Sequence, residues 1–114
     1  MKIKIGLSGK KFNVDVREVS PFQSLGLMFR TRWTDNLLFD FKRKGKWAIS
    51  ALFVFFPFLA VWLDEKNKVL EYKIVKPFCF SANSKKYFAK LIEIPVNNRN
   101  KKLISRFPSV HGKV

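Results

Sequence analysis

The sequence predicts a mainly β protein: a small closed antiparallel barrel of about seven strands with one or two short helices. Three observations lead there. Apolar residues recur with period two in several short stretches, the spacing of a strand that buries one face. A seventeen-residue stretch without a charged side chain, Trp47 to Leu63, is broken near its middle by Pro57. Polar turn-forming segments separate these stretches at short intervals.

The elements follow in order. Lys2-Ile3-Lys4-Ile5 alternates, Ser8-Gly9 supplies a turn, and Phe12, Val14 and Val16 alternate with Asn13, Asp15 and Arg17. This is a β-hairpin. Gly6 to Lys11 superficially looks like a phosphate-binding loop, but its glycines are three apart and Lys11 stands where a hydroxyl belongs, so a plain turn is expected. Ser20-Pro21 is a helix-start pair, with Phe22, Leu25 and Phe29 at helical spacing and Gly26 near the end. Thr31 to Asp35 is loop, Leu37 to Phe41 a strand, and Lys42 to Lys46 an exposed basic turn.

The apolar run admits two readings. As a helix it would span about 25 Å, short of a hydrocarbon core of roughly 30 Å. Pro57 would also remove a backbone hydrogen bond and push Phe56 out of helical geometry. Phe, Val, Trp and Ile suit a pleated sheet. The run is therefore expected to split into two interior strands, before and after Pro57, and not to enter a membrane. Asp64 to Lys68 then forms a polar turn with Asn67 suited to a left-handed conformation. Val69 to Val75 is a strand with Leu70, Tyr72 and Ile74 on one face. Pro77 to Lys86 is expected as loop, and Tyr87 to Ile94 as the last strand, stopped by Pro95.

At 114 residues the chain is one domain. Residues 1–96 make the barrel and 97–114 a basic C-terminal extension, read as a loose tail. Lys and Arg number 23 against 8 Asp and Glu, a net charge of +15 spread along the whole length. Such a charge favours contact with polyanions, nucleic acid among them, without by itself specifying one. Cys79 stands alone, so no internal disulfide forms; with an N-terminus that lacks a signal-peptide core, a cytoplasmic location is expected.

Candidate chemistry is sparse. Cys79 and His111 would make a nucleophile pair only if the C-terminal segment folded back. One Cys and one His do not make a zinc site, and no cofactor is implied. Asp64-Glu65 reads as turn formers and Asp40 as a solvent-facing strand position. Arg30 and Arg32 beside Trp33 form the most compact candidate for a polar or anionic ligand, since guanidinium matches carboxylate and phosphate.

The stretch Leu25-Gly26-Leu27-Met28-Phe29-Arg30, followed by Leu38-Phe39-Asp40-Phe41, resembles the DUF192 family, a set of small proteins of unknown function. Phe53-Val54-Phe55-Phe56-Pro57 looks like the version typical of archaeal members. Trp62-Leu63-Asp64, Lys68-Val69-Leu70, Lys76-Pro77-Phe78 and Leu91-Ile92-Glu93-Ile94-Pro95 continue the likeness in order over residues 12–95. The resemblance implies the closed barrel with its short helices and no established reaction. Where members often carry polar groups around the Phe-rich strand, this chain has Ser50 and Leu59, and the family's Gly-Asp near the C-terminus is not visible. The resemblance thus implies a degenerate polar site, with Ser50 joining Arg30, Arg32 and Trp33 as a candidate ligand contact.

The reading is a non-catalytic binding or interaction module of unassigned ligand. The alternative is a nucleic-acid-associated protein acting through its basic surface; an enzyme using Cys79 or a carboxylate pair ranks third.

Overall fold

The computed structural model describes residues 1–20, 30–31, 33–45, 49–51, 54–77, 79–82 and 86–108, with backbone alone at 49–51 and 79–82. The described strands, in chain order, are β1 (Lys2–Leu7), β2 (Lys10–Asp15), β3 (Arg17–Val19), β4 (Leu37–Gly45), β5 (Ile49–Ala51), β6 (Phe58–Leu63), β7 (Val69–Val75), β8 (Cys79–Ala82) and β9 (Phe88–Pro95). A 3₁₀ turn, Asn98–Asn100, leads into a single helical turn, α1 (Lys101–Ile104).

The strands form three sheets. β1 and β2 make the expected hairpin, its two-residue turn carrying φ of 54° at Ser8 and 80° at Gly9. Positive φ at both positions is the type I′ geometry whose twist matches the flanking strands. Five strands make the main sheet in the order β3-β4-β9-β6-β7, antiparallel throughout except for the parallel β3–β4 pair. β5 and β8 pair separately.

β6 and β9 occupy the middle of the main sheet: β6 is apolar on both faces, and β9 is buried along nearly its whole length although it carries Lys90 and the buried Glu93. On one face Phe58, Ala60 and Trp62 pack with Leu37, Phe39, Phe41, Phe56 and Phe88. Phe88 meets Phe41 and Trp62 edge-on, with ring centroids 5.6 and 6.4 Å away, the geometry aromatic quadrupoles prefer. On the other face Leu59, Val61 and Leu63 pack beneath Ile3, Ile5, Val14 and Val16 of the hairpin. The same face is closed by Ile104 and Phe107.

Several expectations change. The described strands do not form one closed barrel: the hairpin lies over the main sheet and joins its edge only through a parallel bridge, Gly6 to Lys68. The strand expected before Pro57 is confined, among the described residues, to Ile49–Ala51, while Val54 and Phe56 enter the core from irregular backbone. Part of the expected Pro77–Lys86 loop is β8, which supplies the pairing partner of β5. The expected basic turn after Phe41 continues β4 to Gly45. It does so through a register shift at Lys42, whose φ is 67° and whose amide donates to Asp40 Oδ1 at 2.9 Å. Asp40 thus holds a bulge.

Leu70 does not share a face with Tyr72 and Ile74. The pairing of Leu63 with Val69 and of Trp62 with Glu71 leaves Leu70 as the extra residue of a bulge, turned to the opposite core. Of the C-terminal extension, residues 97–108 fold onto the domain. Phe107 is fully buried, meets Tyr72 and Phe12 edge-on, and Tyr72 Oη donates to the Pro108 carbonyl at 2.8 Å. The helix expected after Ser20-Pro21 lies outside the described residues, as does His111. Among the described residues no helix is long and apolar enough to cross a membrane.

Candidate functional site

Where the hairpin opens, away from its turn, the chain forms a cleft of about 760 Å³. Its walls come from three places distant in sequence. β2 and β3 supply Asp15, Arg17 and Glu18; the loop before β4 supplies Thr34 to Asn36; the C-terminal segment supplies Arg99, Asn100, Lys102 and Arg106.

Backbone and carboxamide hydrogen bonds fix these walls. Asn36 Nδ2 donates to the Asp15 carbonyl at 2.9 Å, and the Arg17 amide donates to the Asn36 carbonyl at 2.8 Å. Asn100, 8% exposed, spends both amide hydrogens within the fold: on Asn36 Oδ1, half-buried, at 3.0 Å and on the buried Pro95 carbonyl at 2.7 Å. Its backbone amide is met by Asn97 Oδ1 at 2.9 Å, which caps the 3₁₀ turn. The N-terminal ammonium donates to the Val16 carbonyl at 3.1 Å. The cleft therefore has a stitched frame lined by charged side chains.

Cations and carboxylates share that frame. Lys42 pairs with Glu18 at 4.0 Å and with Asp40 at 3.5 Å; among the described residues no carboxylate pairs with Arg17, Lys102 or Arg106. Arg106 lies over the Phe12 ring at 5.2 Å. Arg99 donates to the Trp33 carbonyl and its guanidinium sits 5.8 Å from the Trp33 ring centroid. Trp33 itself is 52% exposed. Among the described residues the lining carries guanidinium, ammonium, carboxylate, carboxamide and the Thr34 hydroxyl. Among the described residues no three His, Cys, Asp or Glu side chains stand close enough to hold a metal ion.

Of the sequence-derived candidates, none is among the described residues that line this cleft. Arg30 and Trp33 share the loop that becomes its wall, with Arg30 Nη1 3.4 Å from Thr34 Oγ1, yet neither lines it. Arg32 lies outside the described residues, and Ser50 is placed only by its backbone in β5. Leu59 is fully buried beneath the hairpin. Asp64 is committed to its turn, with Oδ1 accepting from the Lys66 and Lys68 amides at 2.8 and 2.9 Å. The residues that do line the cleft, Arg17, Asn36, Arg99 and Arg106, carry no local motif. Only the parallel β3–β4 pairing and the folded-back C-terminal segment bring them together.

Comparison with solved structures places this fold among others. One chain from Novosphingobium aromaticivorans, a protein of unknown function, superposes with a TM-score of 0.71 at 13% identity, over 90% of this chain and 76% of its own. A second, from Sinorhizobium meliloti and described as a candidate transcription regulator, superposes with a TM-score of 0.70 at 19% identity, over 88% of this chain and 81% of its own. At such identities the likeness concerns the fold. No functionally curated protein matches. The sequence profile described as uncharacterized ACR matches residues 1–106, which takes in both sheet faces, the cleft loop and the C-terminal turn, and on that match the chain belongs to the DUF192 family.

Proposed function

We propose that the protein is a non-catalytic binding module whose ligand is small, polar and charged and enters the cleft at the open end of the hairpin. One observation carries this reading: Arg17, Lys102 and Arg106 face the same space as Asp15 and Asp35 without pairing to them. Unpaired guanidinium groups on a hydrogen-bonded frame suit a carboxylate or phosphate, and the neighbouring carboxylates suit an amine on the same ligand. Convergent polar groups in a concave, pre-formed site are the usual form of a ligand pocket.

The test is a thermal-shift and calorimetric screen with amino acids, dipeptides and small phosphate esters, repeated on Arg17→Gln/Arg106→Gln. Ligands that raise the wild-type melting temperature should lose at least about tenfold in affinity with the variant, as expected for two charge-assisted contacts. Ligands that bind both proteins equally, or a screen without any shift, would remove the cleft from consideration.

A further inference from the structure

The opposite end of the hairpin carries a different surface. There a depression of about 390 Å³ lies between the Ser8-Gly9 turn and the turn joining β6 to β7. Five of its eleven described lining residues are lysines: Lys4, Lys10, Lys11, Lys66 and Lys68. The whole chain has 23 basic residues in 114, so the described lining is more than twice as rich in cations, and no carboxylate is among the described lining residues. All five lysines are exposed, and among the described residues none forms an ion pair. The two nearest acids in sequence do not relieve them: Asp64 is turned to backbone amides, and exposed Glu65 does not line the depression.

The lysine backbones are held in place. Gly6 N donates to the Asn67 carbonyl at 3.0 Å, Gly6 bridges Lys68, and Asn67 keeps a φ of 66°. Lys90, from the neighbouring central strand, donates to Asn67 Oδ1 at 2.6 Å and adds a sixth ammonium behind the turn. Five like charges arranged around one hollow repel each other unless an anion sits among them.

We propose that this depression docks the phosphate backbone of a nucleic acid without reading its bases. Lysine ammonium groups act as point charges on phosphate, whereas planar readout of base edges relies on Arg, Asn or Gln. No aromatic side chain is among the described residues that line the depression, so these offer bases nothing to stack on. A flat lipid surface fits less well, because the lysines surround a hollow and the apolar side chains among its described lining residues, Ile5 and Val69, are buried or half-buried. The inference is independent of the cleft reading, since the two sites share no lining residue.

The experiment is fluorescence anisotropy with a labelled random-sequence 20-base-pair duplex over a KCl series, on the full chain and two triple variants. Lys4→Gln/Lys10→Gln/Lys68→Gln should lower affinity at least about tenfold at low salt and reduce the log–log salt slope by about 2–3, near 0.9 per lost phosphate contact. Lys44→Gln/Lys76→Gln/Lys101→Gln removes equal charge from exposed positions elsewhere and should stay within about twofold of the parent. Equal losses in both triples, or no binding by the parent at low salt, would overturn the proposal. So would depression-dependent binding to phosphatidylserine vesicles in place of the duplex. Circular dichroism confirms that each variant is folded, and Lys10→Gln/Lys11→Gln offers a second, milder probe with a slope change of about 1–2.

Discussion

A buried carboxamide is stable only when its donors are met, and Asn100 meets both of its own across elements that lie 64 and 5 residues away in sequence. Asn100→Ala would strand Asn36 Oδ1 and the Pro95 carbonyl, and should cost about 2–3 kcal/mol in urea denaturation. Asn100→Asp should cost at least as much at neutral pH, because a carboxylate has no hydrogen to offer to either acceptor. The opposite sign is expected at Ser8, whose φ of 54° is unfavourable for serine. Ser8→Asn creates the Asn-Gly pair preferred in type I′ turns and should stabilise by roughly 0.5 kcal/mol. The turn at Ser8 was legible from Gly9 beside it. The role of Asn100 was not, since a lone Asn in a polar stretch reads as loop until its distant acceptors are known.

At the scale of elements, the strongest single signal was the uncharged run, and Pro57 divides it at the start of β6. β6 is buried on both faces because no polar residue interrupts it. Its first half behaves otherwise: Val54 and Phe56 reach the core without a strand ladder, so aromatic composition there reported burial and not pairing. The Leu70 bulge belongs to the same class of misreading. Strict alternation would place Leu70 with Tyr72, but one inserted residue reverses its face, and no local composition announces an insertion. The C-terminal segment shows the limit most directly. Only Leu103, Ile104 and Phe107 are apolar between Asn97 and Pro108, too few to give a helical stripe, yet Phe107 is wholly buried between Phe12 and Tyr72. Phe107→Ala should cost about 3–5 kcal/mol and shift the denaturation midpoint accordingly.

For the whole molecule the governing quantity is the charge of +15. Self-repulsion of that size, to which the lysine-lined depression contributes, destabilises the compact state at low ionic strength. The melting temperature should therefore rise as NaCl is raised from low to near-physiological concentration. Phosphate at equal ionic strength should raise it further, by mass action on the folded state. The lysine-to-glutamine triple at the depression should lose that excess response to phosphate, and the control triple should keep it. Equal responses to chloride and phosphate in all three proteins would mean that screening alone operates.

The candidate sites are properties of this same scale. Arg30 and Trp33 were visible in the sequence because they are neighbours on one loop, yet neither lines the cleft. Its lining residues could not be read in advance, because Arg17, Asn36 and Arg106 belong to segments with no common motif. What the sequence by itself determined is local: period-two strands, the break at Pro57, the two tight turns and the basic balance, each set by residues within a few positions of one another. What only the tertiary structure decided is which edges meet. β3 pairs in parallel with β4, the hairpin covers one face of the sheet, and the C-terminal segment closes that face. These choices depend on hydrophobic burial summed over distant segments, and burial is non-directional, so no short window of sequence encodes its outcome.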